Sequence, residues 1–467
     1  MTRAAFLISV LLGGVAAAQK NDTADTVATK RPPNFVFVLA DDLGCRDTSF
    51  TGSRYYETPH LDQLAKQGMV FTQAYANAPN CAPTRACLMS GQYGPRHGIY
   101  TVGNAARGKR ENRKLVPIEN VTTLRDEILT LPELLSANSY KCGHFGKWHL
   151  GKDPKAQGFH VNVGGNKRGA PGRGGYYSPY RNRDLPDGPK DEYLTDRLTD
   201  EALKFIDDNR GGPFFLYLSH YAVHTPIEPK PGKVGKYRGK KPDGGHKNPK
   251  YAAMIESLDE SVGRVVQKLD RLQLADNTVL VFFSDNGGHG RVTSHEPLRG
   301  AKGMLYEGGV RVPMIVRWPG HVQPGSTTAQ PVIGIDFFPT FLEIGGIAKP
   351  EDKLLDGVSL LPILKGGEVA RRDLFWHFPA YLEGNRRRGT WRTTPVGVIR
   401  SDNWKLLEFF EEGRLELYDL AKDPNETTNL AADRRPVTER LLARMKEWRR
   451  ATSAPVPTEP NPGYRDR

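Results

Sequence analysis

Beyond residue 18, the 467-residue sequence lacks any uninterrupted apolar run long enough to cross a bilayer. We therefore expect no membrane span in the mature protein. At the N-terminus, Arg3 precedes a short apolar stretch at residues 4–12, and small residues follow at 16–18. This pattern is typical of a cleaved secretory signal. It predicts a signal peptide over residues 1–18 and a secreted or periplasmic protein, with a retained N-terminal anchor as the alternative.

Cysteine is scarce, and so few cysteines in so long a chain exclude a small disulfide-stapled fold. The four residues are Cys45, Cys81, Cys87 and Cys142, all in the first third of the chain. Their even number in a disulfide-permissive compartment leaves pairing open. A chemical role for at least one of them also stays open.

Acidic residues are in deficit, since 53 Asp and Glu stand against 66 Lys and Arg, for a formal net charge of +13. A basic surface of this kind favours polyanionic partners. In a secreted protein, a sulfated or acidic polysaccharide fits this charge better than nucleic acid. We therefore expect a carbohydrate partner and no nucleic acid.

Strand and helix patterns alternate along most of the chain. Apolar, β-rich runs predict buried strands at residues 34–40, 213–219, 278–284 and 312–318. Helical patterns lie at residues 58–67, 131–137, 194–208 and 251–272. This alternation predicts an α/β sandwich with a large, mostly parallel sheet flanked by helices. The Gly- and Pro-rich stretches 162–189 and 230–250 predict long surface loops.

The pattern changes after about residue 371. Residues 404–410 and 414–418 predict a β-hairpin, and residues 437–449 predict a final amphipathic helix. We therefore predict an N-terminal domain over residues 19–370 and a smaller C-terminal domain, with an antiparallel sheet and a helix, over residues 371–467.

Two of the predicted strands end in similar polar pairs. Asp41 and Asp42 follow the first strand, and Asp285 and Asn286 follow the strand at 278–284. In a parallel sheet, ligands bind beyond the carboxyl ends of the strands, so these side chains are expected to converge. Their oxygens suit Ca²⁺ or Mg²⁺. The alternative is that each pair caps a helix or turn.

A second motif lies between these pairs, where Cys81 is followed by Pro83 and Arg85. This spacing is compatible with a nucleophile at the start of a helix, with Arg85 one turn further on and facing the same anion. A disulfide between Cys81 and Cys87, or an ordinary helix N-terminus, is the alternative.

The Cys-x-Pro-x-Arg motif, followed by Leu-Met-Ser-Gly, resembles the signature of type I, formylglycine-dependent sulfatases of the alkaline phosphatase superfamily. Further matching segments are LADDLG at 39–44, GKWHLG at 146–151, AVHTP at 222–226, SDNGG at 284–288 and PLRGAKGMLYEGGVRVP at 297–313. The resemblance implies an alkaline-phosphatase-like sandwich and the hydrolysis of sulfate esters, as in secreted bacterial polysaccharide sulfatases.

The resemblance also implies two cofactors. One is Ca²⁺, held by the positions Asp41, Asp42, Asp285 and Asn286 together with an oxygen of the modified Cys81 or of the sulfate. The other is formylglycine, which a formylglycine-generating enzyme makes from Cys81. Its hydrate attacks sulfur in line, and its second hydroxyl allows sulfate to be expelled.

The remaining catalytic roles follow from the same resemblance. Asp285 accepts the proton of the nucleophile, and His149 is the base that helps release sulfate. His224, together with Lys302, protonates the leaving alcohol. The cations that face the nucleophile and the sulfate are Arg85, Lys147 and Lys302. His220 and His289 are weaker candidates, and His220 is also compatible with packing at the end of its strand.

Substrate selection is predicted to lie in the small domain, in a stretch of residues 385–392 without regular structure. We expect Arg387, Arg388, Arg392 and His377 to bind a sugar that carries further acidic groups. An exposed basic loop without a ligand is the alternative. Two rival functions stay open: a phosphomonoester or phosphonate hydrolase of the same superfamily, and a non-catalytic glycan-binding relative.

Overall fold

The computed structural model describes residues 1–2, 31–385 and 388–465. The predicted signal peptide lies outside the described residues, apart from its first two. The described strands are β1 Asn34–Ala40, β2 Met69–Phe71, β3 Ala74–Tyr75, β4 Lys141–Gly146, β5 Val161–Val163, β6 Phe214–Ser219, β7 Thr278–Ser284, β8 Ile315–Arg317, β9 Ser326–Thr328, β10 Val332–Ile333, β11 Leu374–Phe378, β12 Leu382–Asn385, β13 Thr390–Thr393, β14 Val396–Ser401, β15 Trp404–Phe409 and β16 Arg414–Asp419. The described helices are α1 Pro59–Gln67, α2 Cys81–Ser90, α3 Gly94–His97, α4 Leu131–Ala137, α5 Leu194–Asp208, α6 Pro231–Arg238, α7 Pro249–Arg271, α8 Glu307–Val310, α9 Phe337–Ile344, α10 Leu361–Leu364 and α11 Arg435–Ala451.

An eight-stranded sheet forms the centre, in the order β5-β4-β6-β1-β7-β8-β2-β9. The first five strands of this order are parallel to one another. Alternate residues of β1 enter opposite cores: Phe35 and Phe37 face one cluster, and Val36 and Val38 face the other. Helices cover both faces because neither face of such a strand is polar. The predicted fold class is confirmed.

One strand direction differs from the prediction. The run at 312–318 forms the short strand β8, which pairs antiparallel with β7 and β2. A parallel connection requires a crossover, usually a long helix. Between β7 and β8 the described chain has only one short helix, α8, and no long crossover helix. The chain therefore enters β8 from the edge of the sheet at which β7 ends, which makes the two strands antiparallel.

A four-stranded antiparallel sheet, β11-β14-β15-β16, follows near the C-terminus. The predicted hairpin is β15 and β16, and the predicted last helix is α11. Ile399 and Leu406 of the sheet pack with Leu441 and Met445 of the helix. The domain boundary at residue 371 stays a prediction.

Two other predictions are corrected, and one open alternative is excluded. Residues 231–238, expected in a loop, form α6, which buries Val234 and Tyr237. Within the stretch 385–392, expected to be unstructured, Asn385 ends β12 and residues 390–392 lie in β13, which pairs with β12. The four cysteines are all free and buried, so no disulfide forms between Cys81 and Cys87.

A buried ion cluster joins the C-terminal sheet to α8. Lys405 of β15 is fully buried, and its Nζ lies 3.0 Å from Glu307 Oε1 and 2.9 Å from Glu426 Oε1. Removing the cation would leave two buried carboxylates without their shared counter-charge. Such a loss is strongly destabilising, whereas the loss of an exposed ion pair is not.

We therefore expect Lys405→Met to lower the free energy of unfolding by about 3–5 kcal/mol. The matched control is Arg371→Met, because Arg371 is 90% exposed and pairs with Asp402 at 3.6 Å. It should change stability by less than about 1 kcal/mol. Urea unfolding measures both values, and equal losses would contradict the expected role of the buried cluster.

Candidate active site

Polar side chains converge beyond the carboxyl ends of the central parallel strands. Asp41 and Asp42 follow β1, Lys147 follows β4, and Asp285 and Asn286 follow β7. They meet because parallel neighbours end at one edge of the sheet. The placement agrees with the geometry expected from the sequence.

The acidic residues and Asn286 are linked directly. The Asp42 backbone N–H donates to Asp285 Oδ1 at 3.2 Å, and Asn286 Nδ2 donates to Asp42 Oδ1 at 2.9 Å. Asn286 Oδ1 is buried and has no hydrogen-bond partner among the described residues. A buried amide oxygen normally has a hydrogen-bond donor or a metal ion as its partner, so Asn286 Oδ1 is available to bind a cation.

Cys81 begins α2 and faces the same carboxylates. Its Sγ lies 3.6 Å from Asp41 Oδ1 and 3.9 Å from Asp42 Oδ1. Ligand atoms of Asp41, Asp42, Cys81 and His224 all lie within 4.8 Å of one another, an arrangement that could hold a metal ion. Burial raises the pKa of the Cys81 thiol to about 12. The unmodified thiol is therefore protonated at neutral pH and a poor nucleophile.

Each of the three carboxylates has a cationic partner: Lys147 Nζ lies 2.6 Å from Asp41 Oδ2, Arg85 Nη2 lies 2.7 Å from Asp285 Oδ2, and Lys302 Nζ lies 2.7 Å from Asp42 Oδ2. The formal charges of these six groups cancel. A divalent cation added to them would make the site net positive, which suits an anionic substrate.

Burial and neighbouring charges act differently on the two adjacent aspartates. Burial raises the pKa of Asp41 to about 7, although Lys147 opposes this shift. Burial would also raise the pKa of Asp42, but Lys302 and His224 outweigh it and hold that pKa below its ordinary value. Asp42 is therefore the more firmly ionised of the two.

Arg85 is fixed on three sides. It donates to Asp285, and its Nη1 also donates to the Lys147 carbonyl at 2.7 Å and to Ser219 Oγ at 2.6 Å. Ser219 is the last residue of β6 and was not predicted from the sequence as a site residue. Its position at a strand end, like that of the Asp pairs, is the signal that would have found it.

Two histidines border the nucleophile position. Burial, followed by the charge of Lys147, lowers the pKa of His149, and its Nδ1 is buried without a partner among the described residues. The ring lies against Gly169, where a Cβ would come within 2.2 Å of His149 Cε1. His224 Nδ1 donates to the Thr225 carbonyl at 2.6 Å, while Nε2 lies 3.7 Å from Asp42 Oδ2. Burial lowers the pKa of His224 to about 4.

A cavity of about 540 Å³ opens onto this group. Its lining comprises Asn80, Cys81, Val102, Arg107, His149, Gly169, Ala170, His224, Thr225, His289, Arg291, Lys302, Leu382, Glu383, Gly384 and Arg392. Cys81 thus lies where a ligand entering from solvent would meet it. Arg107, Arg291 and Glu383 were not anticipated, because they come from segments without a sequence motif.

The predicted substrate residues do not all reach this cavity. Arg392 lines it, and Arg387 lies outside the described residues. Arg388 is exposed and does not line the cavity. The expectation for His377 is wrong: its ring is buried, and Nε2 donates to the Pro455 carbonyl at 2.8 Å.

The two weaker histidine candidates also separate. His289 lines the cavity, whereas His220 is buried and hydrogen-bonds Ser261 Oγ at 2.9 Å. His220 therefore packs at the end of its strand.

Within the part of the chain that the structure describes, no helix has the length and apolar character needed to span a bilayer.

Comparison with known proteins agrees with this geometry. The sequence profile described as Sulfatase matches residues 33–347, and the profile described as N-sulphoglucosamine sulphohydrolase, C-terminal, matches residues 300–451. A sulfatase from Formosa agariphila is 36% identical over 86% of this chain and 85% of its own length. An N-acetylgalactosamine-6-sulfatase from Canis lupus familiaris is 31% identical over 82% of this chain and 74% of its own. The crystal structure of Ps i-CgsB in complex with k-i-k-neocarrahexaose has a TM-score of 0.76 and 28% identity, covering 91% of this chain and 98% of that one.

The Sulfatase profile matches most of the chain. The fold, and the polar residues at the carboxyl ends of the parallel strands, are consistent with this match. The chain therefore belongs to the sulfatase family. It is a sulfuric ester hydrolase, as the sequence predicted.

Proposed function

We propose that this protein hydrolyses sulfate esters on a sulfated carbohydrate, with formylglycine made from Cys81 and with a bound calcium ion. The observation that carries the proposal is the position of Cys81. It lines the cavity, and its Sγ lies within 4 Å of two aspartates that are themselves paired with lysines.

The residues present fit a calcium ion. The proposed ligands Asp41, Asp42, Asp285 and Asn286 offer hard oxygens, and Asn286 Oδ1 lacks any other partner among the described residues. When bound, the ion would neutralise charge on the sulfate and on the nucleophile derived from Cys81. A two-zinc phosphatase site needs further histidine and aspartate ligands, whereas the metal-compatible group among the described residues comprises Asp41, Asp42, Cys81 and His224. This disfavours the two-metal phosphatase alternative.

The side chains around Cys81 divide the proton transfers between them. Asp285 is proposed to accept the proton of the attacking hydroxyl, while Arg85 holds its carboxylate in place. His149 is proposed as the base that assists sulfate release, because its lowered pKa keeps the ring neutral and able to accept a proton. Lys147 and Lys302 place positive charge beside the sulfate.

His224 is proposed to protonate the leaving alcohol. Its Nδ1 donates to the Thr225 carbonyl, so Nε2 is unprotonated in the neutral ring and can deliver a proton only when the ring is charged. An anionic substrate bound beside the ring favours that charged form. A sugar alkoxide is a poor leaving group and requires this proton. An aryl oxide leaves without it.

We therefore expect His224→Ala to lower kcat on a sugar sulfate by about 10²-fold or more and to lower kcat on 4-nitrophenyl sulfate much less. His289→Ala is the matched control, because His289 lines the same cavity without an assigned proton transfer. Steady-state kinetics on both substrates provide the measurement. A leaving-group dependence in the His289 variant instead would transfer the acid role to that residue.

A carbohydrate substrate is supported by the cationic cavity and by two relatives. One is named for N-acetylgalactosamine 6-sulfate, and the other was crystallised with k-i-k-neocarrahexaose. The proposed maturation requires a formylglycine-generating enzyme. The proposed location, secreted or periplasmic, rests on the pattern of residues 1–18.

The direct test is product analysis. The protein, co-produced with a formylglycine-generating enzyme, is incubated with oligosaccharides of chondroitin sulfate and of carrageenan, and released sulfate is measured by ion chromatography. 4-Nitrophenyl phosphate and a phosphonate monoester are the rival substrates. Faster turnover of either rival than of every sulfate ester would reject the proposed function.

A further inference from the structure

Three arginines from separate parts of the chain line the cavity next to the proposed sulfate site. Arg107 lies between α3 and α4, Arg291 lies between β7 and α8, and Arg392 lies in β13. Within the described residues, Glu383 of β12 is the acidic side chain that lines the cavity beside them. Formal charge at this part of the lining is therefore positive.

The arginines are held by bonds that leave most of their charge uncompensated. Arg291 Nη2 donates to the Gly384 carbonyl at 3.0 Å, and Arg392 Nη1 donates to the Lys302 carbonyl at 3.2 Å. Carbonyl oxygens orient a guanidinium but carry no net charge. Arg107 alone of the three has a carboxylate partner, with its Nε 3.3 Å from Glu383 Oε2.

Arg392 also packs closely against Gly303. A Cβ at Gly303 would come within 2.5 Å of Arg392 Cδ, so the arginine lies directly across that glycine. Burial, followed by the charge of Arg291, lowers the pKa of Arg392. The three guanidinium groups repel one another, and Arg107 and Arg392 are partly buried, so an anion from outside the chain would stabilise the cluster.

The arginine cluster adjoins the proposed reaction centre. Lys302 pairs with Asp42 through Nζ, and its own carbonyl accepts the hydrogen bond from Arg392. One residue thus connects the two regions, and both line one cavity with Cys81. A ligand whose reacting sulfate approaches Cys81 therefore brings its neighbouring groups to the arginines.

We propose that Arg107, Arg291 and Arg392 form a subsite for a second anionic group, a carboxylate or another sulfate ester, on the sugar that carries the reacting sulfate or on the adjoining sugar. This inference rests on the proposed function and narrows its substrate class to carbohydrates with at least two negative groups. A guanidinium cluster binds either anion through bidentate, charge-assisted hydrogen bonds. The rim position of Arg291 makes part of the affinity dependent on salt.

The test measures binding without turnover, so that it is separate from the test of the proposed function. The protein carries Cys81→Ser in every case, and isothermal titration calorimetry gives Kd for three probes. These are a galactose monosulfate, a galactose disulfate, and a disaccharide of a uronate and a monosulfated hexosamine. The Cys81→Ser protein should bind at least one of the two dianionic probes about tenfold or more tightly than the monosulfate.

The double variant Arg107→Gln with Arg291→Gln should reduce that preference to less than about threefold. Arg371→Gln removes one charge from an exposed surface position outside the cavity and should retain the preference. A preference for the disulfate alone assigns the subsite to sulfate, and one for the uronate disaccharide alone assigns it to carboxylate. Absence of any preference, or a preference that survives the double variant, overturns the proposed subsite even if the enzyme releases sulfate.

Discussion

Replacing Cys81 with alanine is expected to reduce sulfate release by at least about 10⁴-fold, because the substitution removes the proposed nucleophile while the rest of the site stays in place. The measurement is single-turnover kinetics on the oligosaccharide that the wild-type enzyme hydrolyses best. Peptide mass spectrometry across residues 81–85 should show the aldehyde in active wild-type protein.

The matched control for this prediction is Cys87→Ala. Cys87 lies in the same helix, is equally buried, and has its Sγ 3.4 Å from His97 Nε2, but it does not line the cavity. Its replacement should lower stability and leave kcat close to the wild-type value. Near-native activity of Cys81→Ala would reject the assignment of the nucleophile.

Removal of divalent cations is expected to have the second largest effect. Treatment with EGTA should lower kcat by about 10²-fold or more, and Ca²⁺ should restore it, because several kcal/mol of charge stabilisation at the sulfate would be lost. Without the ion, Lys147 and Lys302 remain paired with Asp41 and Asp42, which ties up two of the charges proposed to face the sulfate.

A second readout separates this metal effect from catalysis. Added Ca²⁺ should raise the Tm of the wild-type protein, and Asn286→Leu should abolish that rise. The control is Asn403→Leu, which alters an exposed residue between β14 and β15. An undiminished rise in Asn286→Leu would exclude Asn286 as a ligand, and two stoichiometric zinc ions in metal analysis would favour phosphatase chemistry.

The sequence was most informative where one short segment determines the outcome. The runs that became β1, β6 and β7 are apolar except at their first or last residues, so their burial on both faces of the sheet was predictable. The direction of β8 was not, because strand direction depends on how the intervening chain returns. The helix α6 was missed since it contains Gly232 and Gly235 and buries few residues.

The same distinction applies to the site. Asp41 and Asp285 could be placed together from sequence because each directly follows a strand of the same sheet. Arg107 and Arg291 could not, because nothing local relates them and only the folded chain brings both to one cavity. His377 misled for a related reason: it precedes the basic run at residues 386–388 in the sequence, but in the fold its ring is buried and donates to the Pro455 carbonyl.

The burial of α2 sets an order of events during biosynthesis. Cys81 is 2% exposed and Arg85 is 1% exposed, and Arg85 is locked to Asp285, Lys147 and Ser219. An enzyme that must grasp the segment from Cys81 to Arg85 would have to pull it away from the central sheet of a finished molecule. The proposed modification of Cys81 would therefore have to precede folding, and protein that folded first would keep an unmodified thiol.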